Sequence, residues 1–403
     1  MSSIVSYSDL LFTALVQDYL RAHENDDVQK LVLKQKDVHG IPAKYIAQLI
    51  GGRQKTRHKL PTWWARTDLL YPPGLNLEQA SSEATAKFKR ALLASITPTH
   101  RRAADLTGGF GIDTFFLSKS VDRFDYVEKD QQLFEIAREN FKRLQAANIE
   151  CHLNSAENFI KDSKKNFDFV YIDPSRRKAS QKVFRFSDCE PEITSLQSSI
   201  FIKTDLIVVK ASPLLDIHQG ISELKNVAEV LVLAVDNECK ELLFVMQKDF
   251  EGEPVTKAID LRGDGSPMRE IAFKRSDEAN AVVDFSVPKK FIYEPSAAVL
   301  KAGAFKWISG AYQTAKLAPS THLYTSDKKI DFPGRTFRII ENVTLDKKLK
   351  DKFENGYANI LTRNYPLSVE EIKKKTGLKE GGEKYLICTQ DQRNKLVLIA
   401  ERL

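Results

Sequence analysis

Hydrophobic residues recur at helical spacing through the first part of the chain. The stretches SDLLFTALVQDYLRAH and PAKYIAQLIGG place apolar residues three or four positions apart, with polar residues between them. Short turns separate these stretches. The pattern predicts an N-terminal helical region over residues 1–95.

Strand and helix patterns alternate in the next part of the chain. Short apolar runs typical of buried strands are separated by amphipathic stretches such as QQLFEIARENFKRLQAAN. The runs are AADL, DYVEKD, IECHLN, FDFVYIDP and DLIVVKAS. This alternation predicts an α/β domain with a doubly wound sheet over residues 96–275.

The last two strand patterns of this region are joined differently. Only DNECK separates AEVLVLAV from ELLFVMQKD, whereas a parallel crossover needs a dozen or more residues. We therefore expect an antiparallel hairpin at the edge of the sheet. The chain then changes character after EGEPVTKAIDLRGDGSPMRE, which is rich in glycine, proline and charge, and the patterns beyond it predict small α+β units. In one of them, Ser368 and Glu371 form a capping-box pattern that begins a helix, which Gly377 can end.

Composition limits the class of protein. The chain has 403 residues, 42% of them hydrophobic, which is enough for a large core shared among several domains. No apolar run reaches the ~18 residues of a membrane span, and no basic segment precedes the first apolar residues. We expect a soluble, cytoplasmic protein with no membrane partner.

Cysteine, histidine and charge narrow the chemistry. The four cysteines lie far apart without a CxxC pair, and the seven histidines show no HxxxH spacing. We therefore expect neither a disulfide framework nor a metal site. The formal charge of +7 favours polyanionic partners.

The stretch AADLTGGFGIDTFFLS predicts a glycine turn between the first strand and a helix, where backbone can approach a nucleotide-like ligand closely. A dinucleotide site needs a third glycine where this chain has Thr114. A site for S-adenosyl-L-methionine needs an acid, a small residue and GxG, which Asp105, Thr107, Gly109 and Gly111 supply. These four residues are the predicted cofactor ligands of the turn.

A second acid, Glu128, ends the following strand pattern seventeen residues after Gly111. A carboxylate there can accept hydrogen bonds from both ribose hydroxyls of a nucleoside. Dehydrogenases also place an acid at this point, so Glu128 indicates a nucleoside without choosing the cofactor. The missing third glycine and the antiparallel hairpin favour S-adenosyl-L-methionine.

The fourth strand pattern ends in DPSRR, residues 173–177. Asp173 and Pro174 would present acceptor groups that orient the methyl-accepting atom, although Asp-Pro is also a common turn. Arg176 and Arg177 would bind phosphate, with surface charge as the alternative. Lys210, at the end of the fifth strand pattern, either faces the ligand crevice or pairs with a neighbouring carboxylate.

A basic segment with aromatic residues precedes the sheet. GGRQKTRHKLPTWW, residues 51–64, has the composition of a surface that contacts nucleic acid. The alternative is a solvated loop with Trp63 and Trp64 buried.

Taken together, these motifs resemble the class I methyltransferases that carry a C-terminal THUMP-like domain. The resemblance implies a methyltransferase sheet, a ferredoxin-like module over 276–328 and a THUMP-like domain over 329–403. It further implies S-adenosyl-L-methionine as cofactor and RNA, either transfer or ribosomal, as substrate. The motifs that carry it are LEQASSEATA, DLTGGFGID, YIDPSRR, VKASP, VDNECKELL and FIYEPSAAVLKAGAF.

The chain departs from three related patterns. Ser175 and Arg176 stand where base-amino methyltransferases have a proline and an aromatic residue that stacks on the flipped base. VKASP lacks the nucleophilic cysteine of uracil-carbon methyltransferases, so direct, non-covalent transfer is expected. Asn154 and Ser155 replace the acid that often binds adenine, which makes Ser155 the predicted adenine ligand. A protein or small-molecule methyltransferase, or an RNA-binding protein without turnover, remains the alternative.

Overall fold

The computed structural model describes residues 4–97, 101–176 and 185–403, which form two compact units. The first unit runs to Asp236 and includes Lys240–Gly252 and Leu261–Met268. The second unit comprises Asn237–Cys239, Glu253–Asp260 and Arg269–Leu403. No helix among the described residues is long and apolar enough to cross a membrane.

The N-terminal helices pack on a shared apolar core, as their hydrophobic spacing predicts. Trp63 is fully buried in this core and meets Phe115 edge to face, with 5.0 Å between the ring centroids. Ser82 begins the last helix, because its hydroxyl accepts the backbone N–H of Thr85. The elements are α1 (Ser8–Leu11), α2 (Ala14–Ala22), α3 (Val28–Lys34), β1 (Asp37–Val38), β2 (Ile41–Pro42), α4 (Ala43–Lys59), α5 (Pro61–Trp64), α6 (Gly74–Gln79) and α7 (Glu83–Ile96).

A nine-stranded sheet follows, with helices between its strands. The strands and the short pair β7 and β8 are β3 (Arg102–Asp105), β4 (Arg123–Glu128), β5 (Ile149–Leu153), β6 (Phe169–Ile172), β7 (Ser175–Arg176), β8 (Cys189–Glu190), β9 (Leu206–Ala211), β10 (Val227–Val235), β11 (Glu238–Gln247), β12 (Val255–Leu261) and β13 (Pro267–Lys274). The helices are α8 (Ile112–Ser118), α9 (Gln131–Arg143), α10 (Ala156–Asp162), α11 (Ile193–Phe201), α12 (Ile217–Glu223) and α13 (Arg275–Asn280).

The strand order is β13-β12-β10-β11-β9-β6-β3-β4-β5. Strand β3 is parallel to β4 and β6, β4 is parallel to β5, and β6 is parallel to β9, whereas β11 is antiparallel to β9. The predicted doubly wound sheet is therefore confirmed. Its order reverses beside β3, and the carboxyl ends of β3, β4, β6 and β9 meet at one edge, where such sheets bind ligands.

The position of the predicted hairpin differs from expectation. A two-residue turn joins β10 to β11 at Asp236 and Asn237, whose φ angles are 52° and 58°. The hairpin is not at the edge of the sheet, because β12 and β13 continue the strand order beyond β10. These two strands were not predicted, because their sequence is rich in glycine, proline and charged residues. In β13, only the alternating residues Ile271 and Phe273 are buried, so its apolar pattern is short.

The second unit holds a seven-stranded sheet that spans both predicted α+β modules. Its strand order is β15-β16-β14-β17-β20-β19-β18, and β14 pairs antiparallel with β17. Ser368 caps α16 reciprocally with Glu371, and Gly377 ends it at φ 74°, as the sequence predicts. The elements are β14 (Phe291–Pro295), α14 (Ala297–Ala302), α15 (Trp307–Ala311), β15 (Ala315–Ala318), β16 (Thr321–Ser326), β17 (Gly334–Asn342), β18 (Tyr357–Thr362), α16 (Val369–Thr376), β19 (Lys379–Gln390) and β20 (Lys395–Arg402).

Candidate functional site

A cavity of about 300 Å³ lies at the carboxyl ends of the parallel strands of the first unit. The glycine turn after β3, the ends of β4 and β6, the start of α10 and the residues just before α7 contribute to its walls. Seven of the sequence-predicted site residues line it together: Asp105, Thr107, Gly109, Gly111, Glu128, Ser155 and Asp173.

The other three predicted site residues have different positions. Pro174 is buried and, within the described part of the chain, does not line the cavity. Arg176 pairs with Cys189 in the short β7–β8 ladder. Arg177 lies outside the described residues.

The turn after β3 depends on glycine because neighbouring aromatic rings leave no room for side chains. A Cβ atom on Gly108 would lie 2.1 Å from the buried Tyr126 ring, and one on Gly111 would lie 2.6 Å from Phe141. Gly111 also adopts the left-handed conformation, with φ 85°. The Tyr126 hydroxyl donates a hydrogen bond to the Gly109 carbonyl at 2.7 Å. Gly108, which the sequence reasoning did not single out, is thus needed for the shape of the turn.

Asp105 is a buried carboxylate held by neutral donors. Its Oδ1 accepts the Thr107 backbone N–H at 3.0 Å, and its Oδ2 accepts the Thr114 hydroxyl at 2.7 Å. Burial raises the pKa of Asp105 to about 7, although the bond from Thr114 opposes the rise. Thr114, the residue that breaks the dinucleotide glycine pattern, therefore orients the first acid of the turn.

Glu128 connects the second strand to the glycine turn. Its Oε2 accepts the Gly109 N–H at 2.8 Å, and its Oε1 accepts the Asp130 N–H at 2.7 Å. Burial raises the pKa of Glu128. Each carboxylate oxygen has more than one lone pair, so both retain acceptor capacity beyond their backbone bonds.

Ser155 caps the helix α10 at the cavity wall. Its Oγ accepts the Asn158 N–H at 3.2 Å, and its own N–H donates to Asn154 Oδ1 at 2.9 Å. The predicted contact of Ser155 with adenine stays a prediction.

Asp173 follows β6 and is tied to the glycine turn through its backbone. Its N–H donates to the Thr107 hydroxyl oxygen at 2.6 Å. Its Oδ2 forms an ion pair with Lys210 Nζ at 2.5 Å. Burial raises the pKa of Asp173, and the charge of Lys210 opposes that rise. Lys210 both lines the cavity and pairs with a neighbouring carboxylate, so the structure contains both of the possibilities given for it.

A group of charged side chains that sequence reasoning missed lies next to Lys210. Lys89 is fully buried, and its Nζ lies 2.8 Å from Asp113 Oδ1, from Glu241 Oε1 and from Ser81 Oγ. Although burial opposes ionisation, the charges of Lys89 and Lys210 lower the pKa of Asp113 to about 2. One sequence signal could have revealed this charged group: Lys89 falls on the apolar face of α7, three residues after the buried Ala86.

The basic segment 51–64, for which the sequence left open a surface for nucleic acid or a solvated loop, is helical. It forms the end of α4 and all of α5, and Trp63 is buried. Arg53 is also buried and donates to the backbone carbonyls of Trp64 and Arg66, each at 3.2 Å. Arg53 thus links α4 to the segment after α5 and is not a surface residue available to phosphate.

Asp125, Glu150 and His152 come close enough to hold a metal ion. The same carboxylates also contact Arg102 and Lys165, with 2.6 Å from Arg102 Nε to Asp125 Oδ2. Burial raises the pKa of Asp125, but hydrogen bonds from His152, Arg102 and Lys165 outweigh this effect and lower the pKa. The protein's own cations therefore balance this group.

Three parts of the chain match known protein families. Residues 84–229 match the family described as conserved hypothetical protein 95, residues 291–333 match a ferredoxin-like domain and residues 334–402 match a THUMP domain-like family. The chain matches none of the curated proteins.

Solved structures provide further likenesses. A candidate methyltransferase from Porphyromonas gingivalis W83 is 28% identical, with a TM-score of 0.82 over 96% of this chain and 97% of that chain. A candidate methyltransferase from Streptococcus mutans in complex with SAH and an rRNA methylase from Streptococcus thermophilus are each 13% identical. Both of these cover 41% of this chain and 97% of their own, with a TM-score of 0.31.

The buried group around Lys89 generates a prediction about stability. Lys89→Met should lower the free energy of unfolding by about 3–5 kcal/mol, because it leaves Asp113 and Glu241 buried without their closest cation. Arg90→Met, at the exposed next position, should change it by no more than about 0.5 kcal/mol. The double variant Lys89→Met/Glu241→Met should recover part of the loss. Urea unfolding measures all three, and equal effects of Lys89→Met and Arg90→Met would contradict the prediction.

Proposed function

We propose that the chain is a methyltransferase that methylates a nucleobase in transfer or ribosomal RNA. Its likeness to a candidate methyltransferase and its matches to ferredoxin-like and THUMP domain-like families support the proposal. The proposed methyl donor is S-adenosylmethionine. The observation that carries the proposal is the pair of buried carboxylates, Asp105 and Glu128, on either side of one glycine turn in one cavity.

The donor set of the cavity fits this cofactor. Asp105 is buried among hydroxyl and amide donors, so a cationic ammonium group beside it would offset the cost of its charge. The Glu128 oxygens retain lone pairs for two ribose hydroxyls. A cavity of about 300 Å³ lies at the lower end of the usual range for small-molecule sites. When bound, S-adenosylmethionine supplies a methyl group on a sulfonium that is already activated as a leaving group.

Asp173 is the proposed residue that orients the methyl acceptor. Its carboxylate is about one third exposed and lines the same cavity as Asp105 and Glu128. An amine or ring N–H that donates to this carboxylate would be held in one orientation, and alignment alone is worth large rate factors. Arg176 and Arg177 are proposed to contact phosphate near the acceptor base.

The charge of the THUMP-like region supports RNA as the partner. Residues 334–402 contain 15 lysines and arginines and 10 acidic residues. This region therefore carries most of the chain's formal net charge of +7. A 3-10 helix, Lys347–Lys352, and α16 share one small core, which includes Leu349 and Ile372. Five exposed lysines on these two helices form what we call the lysine surface: Lys347, Lys348, Lys350, Lys374 and Lys375.

The lysine surface is suited to a polyanion. Lys352 and Lys373 lie between its members but are paired with Glu341 and Glu370, so they are not included. Folded RNA is bound largely through phosphates and shape, and each lysine that neutralises a phosphate releases a condensed counterion. The proposed role of the lysine surface is therefore to hold folded RNA without reading its sequence.

The cofactor assignment is tested by isosteric changes at the two acids. Asp105→Asn and Glu128→Gln should each weaken S-adenosylmethionine binding by about 1.5–3 kcal/mol, because each loses charged hydrogen bonds. Asp162→Asn, at the far end of α10, should leave the affinity unchanged. Titration calorimetry measures the affinities. The assignment is wrong if both acid variants bind as the parent does.

The same titrations have an expected pH dependence. A cationic ligand prefers ionised Asp105, whose raised pKa of about 7 leaves it partly protonated at mildly acidic pH. Affinity should therefore rise from pH 5.5 to 7, before the amino group of the ligand loses its own proton at about pH 8. This rise should be absent in Asp105→Asn.

The reaction is tested with methyl-labelled S-adenosylmethionine and total RNA from cells that lack the protein. Asp173→Asn should reduce methyl transfer by about tenfold or more, because loss of alignment costs rate rather than cofactor binding. The affinity for S-adenosylmethionine should change less than twofold. Mass spectrometry of the digested RNA identifies the modified nucleoside. If the parent labels protein extracts but not RNA, the alternative of a protein methyltransferase replaces this proposal.

RNA binding is tested on the lysine surface. Changing Lys347, Lys348 and Lys350 together to Gln should weaken binding to total transfer RNA about tenfold at 0.1 M salt and reduce the salt slope by about 2. The matched control changes three lysines of the first unit, Lys142, Lys161 and Lys164, to Gln, with the same loss of charge. Fluorescence anisotropy at several salt concentrations measures both. Equal effects of the two triple variants would indicate a general charge effect and would remove the lysine surface from the proposal.

A further inference from the structure

Lys210 and Asp173 are neighbours across two parallel strands. Ile172 of β6 is in register with Val209 of β9, so the residues that follow them stand side by side. The side chain of Lys210 is 10% exposed and that of Asp173 is 34% exposed. Both residues line the cavity, and Asp173 is the more exposed member of the pair, with Lys210 as its more deeply buried partner.

Of the two buried lysines near the cavity, Lys210 pairs with Asp173 and Lys89 pairs with other acids. Lys89 Nζ forms ion pairs with Asp113 and Glu241 and donates a hydrogen bond to Ser81 Oγ, each at 2.8 Å, so its charge is already opposite two deeper acids. Among the described residues, only Lys210 brings a positively charged nitrogen within 4 Å of the Asp173 carboxylate. Lys89 thus balances the two deeper acids, and Lys210 balances the acid at the cavity.

A hydrogen bond to Ser81 fixes the position of the Lys210 ammonium group. Its Nζ donates to Ser81 Oγ at 3.1 Å, and the same Ser81 hydroxyl donates to Asp113 Oδ2 at 2.7 Å. Asp113 in turn accepts the Tyr171 hydroxyl at 2.8 Å. A shift of Lys210 away from Asp173 would break a chain of buried hydrogen bonds, which is costly in a low-dielectric interior.

We infer that Lys210 is a positioning residue of the methyl-transfer site, which holds the Asp173 carboxylate fixed and ionised so that it accepts a hydrogen bond from the methyl-accepting N–H. The inference rests on the proposed function. A protonated Asp173 would instead present a donor and would lose its ion pair, so the lysine sets the form in which Asp173 meets the acceptor. Nothing in the amino-acid motif DPSRR specifies this support, because it comes from a different strand.

The electrostatic surroundings give the direction of the effect. Burial and the negative charge of Asp113 raise the pKa of Asp173, and Lys210 is the main opposing influence. Removing the lysine charge should raise the pKa of Asp173 further. The titratable and charged groups facing Asp173 are Lys210 from β9, Asp113 from α8, Lys89 from α7, Asp105 from β3 and Tyr171 from β6, with Glu241 from β11 behind the two lysines.

The direct test follows the Asp173 carboxyl group by NMR, in the full-length protein labelled with ¹³C at the aspartate carboxyls. The signal absent from Asp173→Asn identifies this group. In Lys210→Met its titration midpoint should move to higher pH by at least one pH unit, whereas Lys210→Arg, which keeps the charge, should move it by less than half a unit. Lys225→Met, an exposed control, should not move it. An unshifted midpoint in Lys210→Met overturns the inference, whatever the activity.

The second readout is the pH profile of methyl transfer to total RNA from cells that lack the protein. Because transfer needs ionised Asp173, the acidic limb of kcat/KM should shift upward in Lys210→Met by the same amount as the carboxyl midpoint, so that activity is lost on the acidic side and largely recovered at pH 9. Ser81→Ala, which removes the support but keeps the pair, should shift the limb in the same direction by less, and it serves as the test if Lys210→Met does not fold. A uniform loss at every pH would mean a merely structural role and would overturn the inference. A shifted carboxyl titration with no transfer to RNA by the parent would instead overturn the proposed function.

Discussion

The ammonium group of Lys89 makes the floor of the cavity possible. It lies fully buried between Asp113 and Glu241, and two carboxylates at that depth would be strongly unfavourable without a cation between them. The Ser81 and Tyr171 hydroxyls each donate a hydrogen bond to Asp113 Oδ2. With these charges balanced, the strand ends above them can present Asp105, Glu128 and Asp173 in one small space.

Much of the fold follows from local patterns. The alternation of apolar runs and amphipathic stretches predicted the doubly wound sheet, because buried parallel strands must be covered by helices on both faces. The carboxyl ends of neighbouring parallel strands meet at one edge, so Asp105, Glu128 and Asp173 were expected together, and all three line the cavity. The capping box at Ser368 was equally legible, since a cap depends on residues three positions apart.

What the sequence concealed depends on contacts between distant segments. Lys89 lies on α7, Asp113 on α8 between β3 and β4, and Glu241 on β11. No local sequence pattern relates three residues so far apart along the chain. Strands β12 and β13 were missed because glycine, proline and charged residues surround them, although five of the seven residues of β12 are buried and β13 buries Ile271 and Phe273. Arg53 had the composition of a phosphate ligand, yet its guanidinium is used by backbone carbonyls that only the folded N-terminal region brings near.

Asp105 and Asp113, the two buried acids near the start of α8, have pKa values shifted in opposite directions. Asp113 has two lysines nearby, which lower its pKa to about 2 against the effect of burial, whereas Asp105 is held by the hydroxyl and amide donors of Thr114 and Thr107, and its pKa rises to about 7. A charge that the protein balances internally contributes to structure. A buried carboxylate that faces a cavity with only neutral donors is a charge still to be balanced, and a cationic ligand group can balance it. This difference, rather than the presence of acids as such, is why Asp105 is suited to binding and Asp113 to support.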